Sequence, residues 1–259
     1  MRFKSKVHNF TVKGAIFDVD DTLLNDRPDG QNSVHQHSRM LAARFVGKKH
    51  KLPVLSNITT EQAEQSFSTS TEHTPAGVMW RTLEIIKIVD TKKIDTQNIV
   101  LKDLLKYKIY YYEKLLTENN YSFENSIEFI DYIYNNGLEN KLSIASNAQK
   151  NDIKTFLAGS GFNKYFKENT IVSKDDIYNA KPHPEAFDLA FKTLKLNDID
   201  RKYVCAFEDH PRGIESAKAA GLFTLGFAIR HTKKEFLSLK IPPDFVYSNY
   251  KELFNYFVK

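Results

Sequence analysis

Residues 14–24, GAIFDVDDTLL, constrain this chain more than any other stretch. Ala15, Ile16 and Phe17 form an unbroken apolar run, the pattern of a strand buried on both faces of a parallel sheet, and the run stops at Asp18, Asp20 and Asp21. Carboxylates crowded at the end of a buried strand repel one another and lose hydration. Such a cluster calls for a compensating cation or for chemistry that uses the charge.

The remaining chain is read around this strand. After Leu24, the polar stretch NDRPDGQNS, with Pro28 and Gly30, reads as a linker leaving the sheet. From Val34 to about Leu116 the pattern is helical. One helix is expected near 34–48, a second from the Thr59-x-x-Gln62 capping box, and a third after Pro75 carrying Val78, Met79, Leu83, Ile86 and Val89. A fourth, from Asn98 to Leu116, is expected to bury Leu101, Leu104, Leu105, Ile109, Tyr112 and Leu116, with the run Tyr110 to Tyr112 as packing material. A return linker spans 117–125. Beyond it helices (125–136, 149–159, 184–195, 211–220, 232–239, 250–258) alternate with strands (141–145, 170–173, 203–207, 222–228, 245–247). The alternation predicts an α/β fold: a doubly wound, parallel-sheet Rossmann-like core formed by residues 1–24 and 120–259, interrupted by an inserted all-helical domain at 25–119.

Composition narrows the function. The net charge is +5, yet lysines and acids are interspersed, and no zinc spacing, Arg-rich arm or glycine-rich phosphate loop accompanies them. A basic surface that suits an anionic substrate is the better reading than nucleic-acid binding. The single cysteine, Cys205, has no intrachain partner, no apolar run reaches the length of a membrane span, and the N-terminus lacks an apolar signal segment. The expectation is a cytoplasmic protein without membrane or nucleic-acid partners, a monomer or weak homo-oligomer.

In doubly wound sheets ligands bind at the carboxyl ends of the strands, near the point where the strand order reverses. The strand LSIA delivers Ser146 and Asn147 there, the loop NAKPHPEAF delivers Lys181, and the strand YVCAF delivers Glu208 and Asp209. Each has a plain structural use as a helix cap or solvated charge, but together with Asp18 they converge on one rim.

On these residues the chain resembles the haloacid dehalogenase-like hydrolase superfamily, and within it the β-phosphoglucomutase-like branch. The resemblance lies in Asp18-Val19-Asp20-Asp21-Thr22-Leu23, Ser146, Lys181-Pro182-x-Pro184 and Phe207-Glu208-Asp209 followed by Gly213-Ile214, in that order, with a helical insertion where the family carries its type 1 cap. Two positions depart from the family pattern: Asp21 stands where glycine is commoner, and His210 where serine is usual. The resemblance implies a phosphatase of small phosphorylated metabolites, or a phosphomutase, with Mg2+ as cofactor and the Asp20 main-chain carbonyl among its ligands.

The chemistry agrees without the family. Phosphoryl transfer needs a nucleophile, a proton donor for the leaving oxygen, a divalent cation and donors on the equatorial oxygens. Asp18 suits the nucleophile, forming an aspartyl-phosphate, and Asp20 the general acid and base. Asp18 and Asp209 suit Mg2+, with Glu208 as a direct or supporting partner, while Ser146, Asn147 and Lys181 are assigned to the phosphate. Hydrolytic dehalogenases lack a second carboxylate like Asp20, and response-regulator receivers place their acid pair before the phosphorylated aspartate, whereas Glu208-Asp209 comes last. A catalytically idle binding protein on the same fold is the remaining alternative. In the insertion, His35, His37, Arg39, Arg44, Trp80 and Arg81 are candidates for choosing the leaving group; His183 and His210 flank the site.

Overall fold

The computed structural model describes residues 1–28, 33–72 and 74–258. The chain divides into two compact units, Met1–Asn25 with Asn120–Lys259, and Asp26–Asn119. The first unit opens with β1 (Arg2–Lys4), β2 (Asn9–Thr11) and β3 (Gly14–Phe17).

The second unit consists of α1 (Val34–Lys49), α2 (Pro53–Ser56), α3 (Thr60–Ser68), α4 (Pro75–Ile85) and α5 (Ile99–Glu118). Side-chain caps start four of them. Ser33 accepts from the Gln36 N–H, Thr59 and Gln62 close both bonds of a capping box, Thr74 accepts from Gly77, and Asn98 accepts from Val100 and Leu101. Met40, Val46, Leu55, Met79, Trp80, Leu83, Leu101 and Leu104 form its core. Ile109, expected on the buried face of α5, is 43% exposed, while Lys108 is buried with its ammonium 4.5 Å over the Tyr112 ring. The buried stripe runs Leu101, Leu104, Lys108, Tyr112, Leu116, and Ile109 lies about 100° around the helix from Lys108. Of the linker expected near 25–32, residues 29–32 lie outside the described residues.

From Asn120 onward the first unit resumes with α6 (Ser126–Ile133), β4 (Leu142–Ala145), α7 (Lys150–Ser160), β5 (Ile171–Val172), α8 (Glu185–Thr193) and β6 (Val204–Glu208). It closes with α9 (Pro211–Ala219), β7 (Phe223–Phe227), α10 (Lys233–Leu237), β8 (Phe245–Tyr247), α11 (Tyr250–Leu253) and β9 (Phe257–Val258). Six strands form a parallel sheet in the order β5-β4-β3-β6-β7-β8. The chain builds outward from β3 to one side and then crosses back to the other, so the order reverses between β3 and β6. There Phe17 pairs with Phe207 and the two rings stack at 4.3 Å and 8°, which levels the strand ends that carry Asp18 and Glu208.

A second sheet, β2-β1-β9, is antiparallel and was not legible in the sequence. The helix expected over 250–258 stops at Leu253, and Phe257 pairs with Phe3. Tyr250, Leu253, Phe254 and Phe257 carry helical spacing, but a short helix followed by a strand buries the same positions and gives the β1 edge its backbone partners. Phe3, fully buried, touches Phe10, Phe223, Phe245 and Phe257 at centroid distances of 5.8, 5.1, 5.4 and 5.1 Å, so this sheet is packed onto the main one. Phe3→Ala is expected to lower unfolding free energy by about 3–5 kcal/mol in urea titration. A loss below about 1 kcal/mol would show the small sheet to be an ornament.

Candidate active site

The ladder between β3 and β6 continues one residue past the strand, where the Asp18 N–H donates to the Phe207 carbonyl at 3.0 Å. The chain then turns sharply. The N–H groups of Leu23 and Leu24 both donate to the Val19 carbonyl at 2.9 Å, and that of Asp21 donates to the Leu24 carbonyl at 2.7 Å. Asp21 occupies the left-handed region at φ 55°. Two distant groups hold the turn: the Thr22 hydroxyl donates to Asp209 Oδ1 at 3.3 Å, and the buried Tyr250 hydroxyl donates to the Thr22 carbonyl at 2.8 Å.

Lys181 ties the strand ends together. Its ammonium donates to Asp18 Oδ1 at 2.6 Å, Glu208 Oε1 at 2.5 Å and the Ala145 carbonyl at 2.8 Å, which uses all three protons at 5% exposure. Its main chain is fixed as well, the N–H by Asn147 Oδ1 and the carbonyl by the Arg212 guanidinium. Glu208 Oε2 accepts from the His210 N–H, and a Cβ on Gly213 would overlap the Glu208 carboxylate, so α9 can start here only with glycine at that position. Ser146, at the end of β4, is buried, and its Oγ accepts from the Ala148 N–H at 3.1 Å.

Asp18, Glu208 and Asp209 each present a carboxylate oxygen within 4.8 Å of the others, an all-oxygen set that fits a hard divalent cation such as Mg2+. Burial pushes the Asp18 carboxyl well above its ordinary value, with Lys181 opposing and Glu208 and Asp20 adding to the shift. Asp209 is raised by burial and then by Glu208, Asp18 and Asp21. Burial works against the charge on Lys181, yet Asp18 and Glu208 together hold its pKa above the usual lysine value.

The structure thus gathers Asp18, Lys181 and Glu208 in direct contact, with an Asp209 oxygen within 4.8 Å of those of Asp18 and Glu208, Ser146 and Asn147 on the adjoining strand end, and Asp20 on the turn, half-buried and bridged to Leu24. Both flanking histidines bond to backbone where a helix starts: His210 is the N-cap of α9, its Nδ1 accepting from the Arg212 N–H, and His183 Nδ1, one residue before the Pro184 cap of α8, accepts from the Glu185 N–H. Within the helical unit, Trp80 is core and donates to the Thr91 carbonyl, Arg81 pairs with Glu84, and His35 stacks on Tyr112 at 4.5 Å. Arg39 is mostly buried over the Phe67 ring, its pKa drawn down to about 10 by burial against the pull of Asp26; His37 and Arg44 are exposed. Arg212 and Tyr250 were missed from sequence because they act on the site only through tertiary contact, and no motif marks them.

The family model described as haloacid dehalogenase-like hydrolase matches residues 15–227, and the chain belongs to that family. Phosphoglycolate phosphatase of Salmonella typhi is 22% identical over 93% of this chain and 91% of its own length. Among solved structures, a family IA, variant 3 hydrolase from Entamoeba histolytica HM-1:IMSS superposes with a TM-score of 0.63 at 19% identity, covering 92% of this chain and 94% of that one. A β-phosphoglucomutase from Clostridium difficile does so with 0.60 at 21%, covering 94% and 93%. The chain is accordingly an enzyme, a haloacid dehalogenase-like hydrolase of the phosphatase kind. No helix among the described residues is long and apolar enough to cross a membrane.

Because the folded Asp18 and Asp209 sit above the ordinary 3.8, the metal-free fold binds their protons more tightly than the unfolded chain does. The contribution of these two groups to its stability is therefore greatest at acid pH and is lost as pH rises from the ordinary carboxyl range through the folded values. Asp209→Asn removes one such penalty: in chelator at pH 7 it should melt a few degrees above wild type, about 2–4 °C for each ~1 kcal/mol relieved. A variant that melts lower than wild type under those conditions would show the carboxylate to be a net stabiliser.

Proposed function

We propose that the enzyme hydrolyses small phosphate monoesters through an aspartyl-phosphate on Asp18, with Mg2+ as cofactor. The observation that carries this reading is the buried contact of Lys181 with both Asp18 and Glu208, beside Asp209. An Asp18 oxygen attacks phosphorus while the leaving alkoxide takes a proton from Asp20. Asp20, now a carboxylate, draws a proton from water as that water attacks the phospho-enzyme, which releases inorganic phosphate and restores Asp18. Lys181 orients the attacking carboxylate and offsets charge on the transferring group, and the Ser146 hydroxyl, whose oxygen already accepts from Ala148, keeps its proton for a phosphoryl oxygen. Asp18, Glu208 and Asp209, with the Asp20 main-chain carbonyl, would hold Mg2+, which when bound screens the repulsion between carboxylate and dianionic phosphate.

Hydrolysis is favoured over phosphomutase transfer because a phosphoglycolate phosphatase aligns along nearly the whole chain; likeness to a mutase structure at 21% identity speaks for the fold alone. An idle binding protein would have no use for a buried cluster so costly in repulsion. The lone, buried Cys205 suits a reducing cytoplasmic setting. Phosphoglycolate heads the panel of phosphorylated metabolites to be assayed with Mg2+. Asp18→Asn should lower turnover at least about a thousandfold, and EDTA should abolish it reversibly. In rapid-quench experiments label should leave the protein as inorganic phosphate within each turnover. A phospho-enzyme that persists and passes its label to an added hexose phosphate would establish the mutase instead, and full activity in EDTA would sink the metal assignment.

A further inference from the structure

Asp21 is one carboxylate more than this chemistry uses. It occupies the left-handed region, where a Cβ is disfavoured, and its charge adds to the repulsion already felt by Asp209. Glycine would incur neither cost. What the aspartate supplies is a bond to the loop that follows β7: a terminal Arg230 nitrogen donates to Asp21 Oδ1 at 2.7 Å, with the side chains 29% and 16% exposed. That loop is itself anchored. The Ala228 N–H donates to the Tyr247 carbonyl at 2.8 Å, and the neighbouring His231 ring lies 5.5 Å from His210 and 5.7 Å from Phe236.

The turn that carries Asp20 is therefore held at two successive residues by groups from the far end of the chain, Thr22 by Asp209 and Tyr250, and Asp21 by Arg230. We propose that Arg230 is a positioning residue: its pair with Asp21 fixes the turn between Val19 and Leu24, and hence the acid-base carboxylate, while neutralising the additional charge beside the cluster. The proposal rests on the acid-base role given to Asp20 above. Arg230 acts through its bond to Asp21.

A double-mutant cycle tests it, read both by steady-state kinetics and by amide hydrogen exchange of the segment Asp18–Leu24 in metal-free protein. Arg230→Gln should lower kcat about tenfold with KM within about twofold, the split expected when geometry and not binding is lost. Exchange of the turn amides should quicken about tenfold. Arg230→Lys should recover most of both. In an Asp21→Gly background, Arg230→Gln should change neither by more than about twofold, since the coupled partner is gone. A raised KM with unchanged kcat, equal losses in the two backgrounds, or no change in turn exchange would each overturn the proposal. Should no phosphate ester be turned over, the phosphatase reading fails, and the exchange cycle still decides whether Arg230 holds the turn.

Discussion

The ammonium of Lys181 sits where two strand ends bring carboxylates together, and the rest of the core is arranged to keep it there. A lysine at 5% exposure is costly unless its protons are all engaged, and here each has an acceptor. Three carboxylates, Asp18, Glu208 and Asp209, cluster about that single positive charge, which leaves two negative charges without a fixed counterpart among the described residues. A divalent cation carries the matching charge, and the all-oxygen donor set suits a hard one. Asp21, which adds to the repulsion on Asp209, does not enter this balance because Arg230 neutralises it.

Such a site works against the fold that carries it. Asp18 and Asp209 are both held above their ordinary pKa, so at neutral pH the metal-free core stores repulsion. The compensation is apolar and lies directly beneath. Phe17 and Phe207 stack at the strand ends, Phe207 meets Phe129, Tyr247 and Phe257, and Tyr250 lies against Phe129 and Phe227. Aromatic packing of this density excludes water from under the carboxylates, which raises the cost of their charge and strengthens each directed bond that holds them.

Much of this could be read from the sequence, and the boundary has a physical cause. The strand at residues 14–17, the capping box at Thr59 and the acids, hydroxyl and lysine at the strand ends each leave a local mark: an apolar run, a spacing, or a charge where charge is expensive. The β2-β1-β9 sheet left none, because strands of two or three residues are shorter than any alternation window and Phe257 also fits a helical spacing. The position of Ile109 turned on a shift of a single residue around α5. Arg212, Arg230 and Tyr250 touch the site through contacts made 31, 209 and 228 residues away in sequence, a separation at which side-chain type alone says nothing.

Those separations bear on how the site comes into being. Bonds local to the turn, from Leu23 and Leu24 to Val19, bend the chain after β3 but do not aim Asp18 or Asp20 at anything. Aim comes from β6, from the loop after β7 and from α11, which deliver Asp209, Arg230 and Tyr250. Because loop-closure entropy must be met before such distant contacts repay it, no N-terminal fragment can hold the catalytic turn in its working shape. The site is a property of the completed sheet. Destabilising changes far from the carboxylates, in the β7 loop or at the docking of α11, therefore act on its geometry directly through the two tethers, Arg230 to Asp21 and Tyr250 to Thr22.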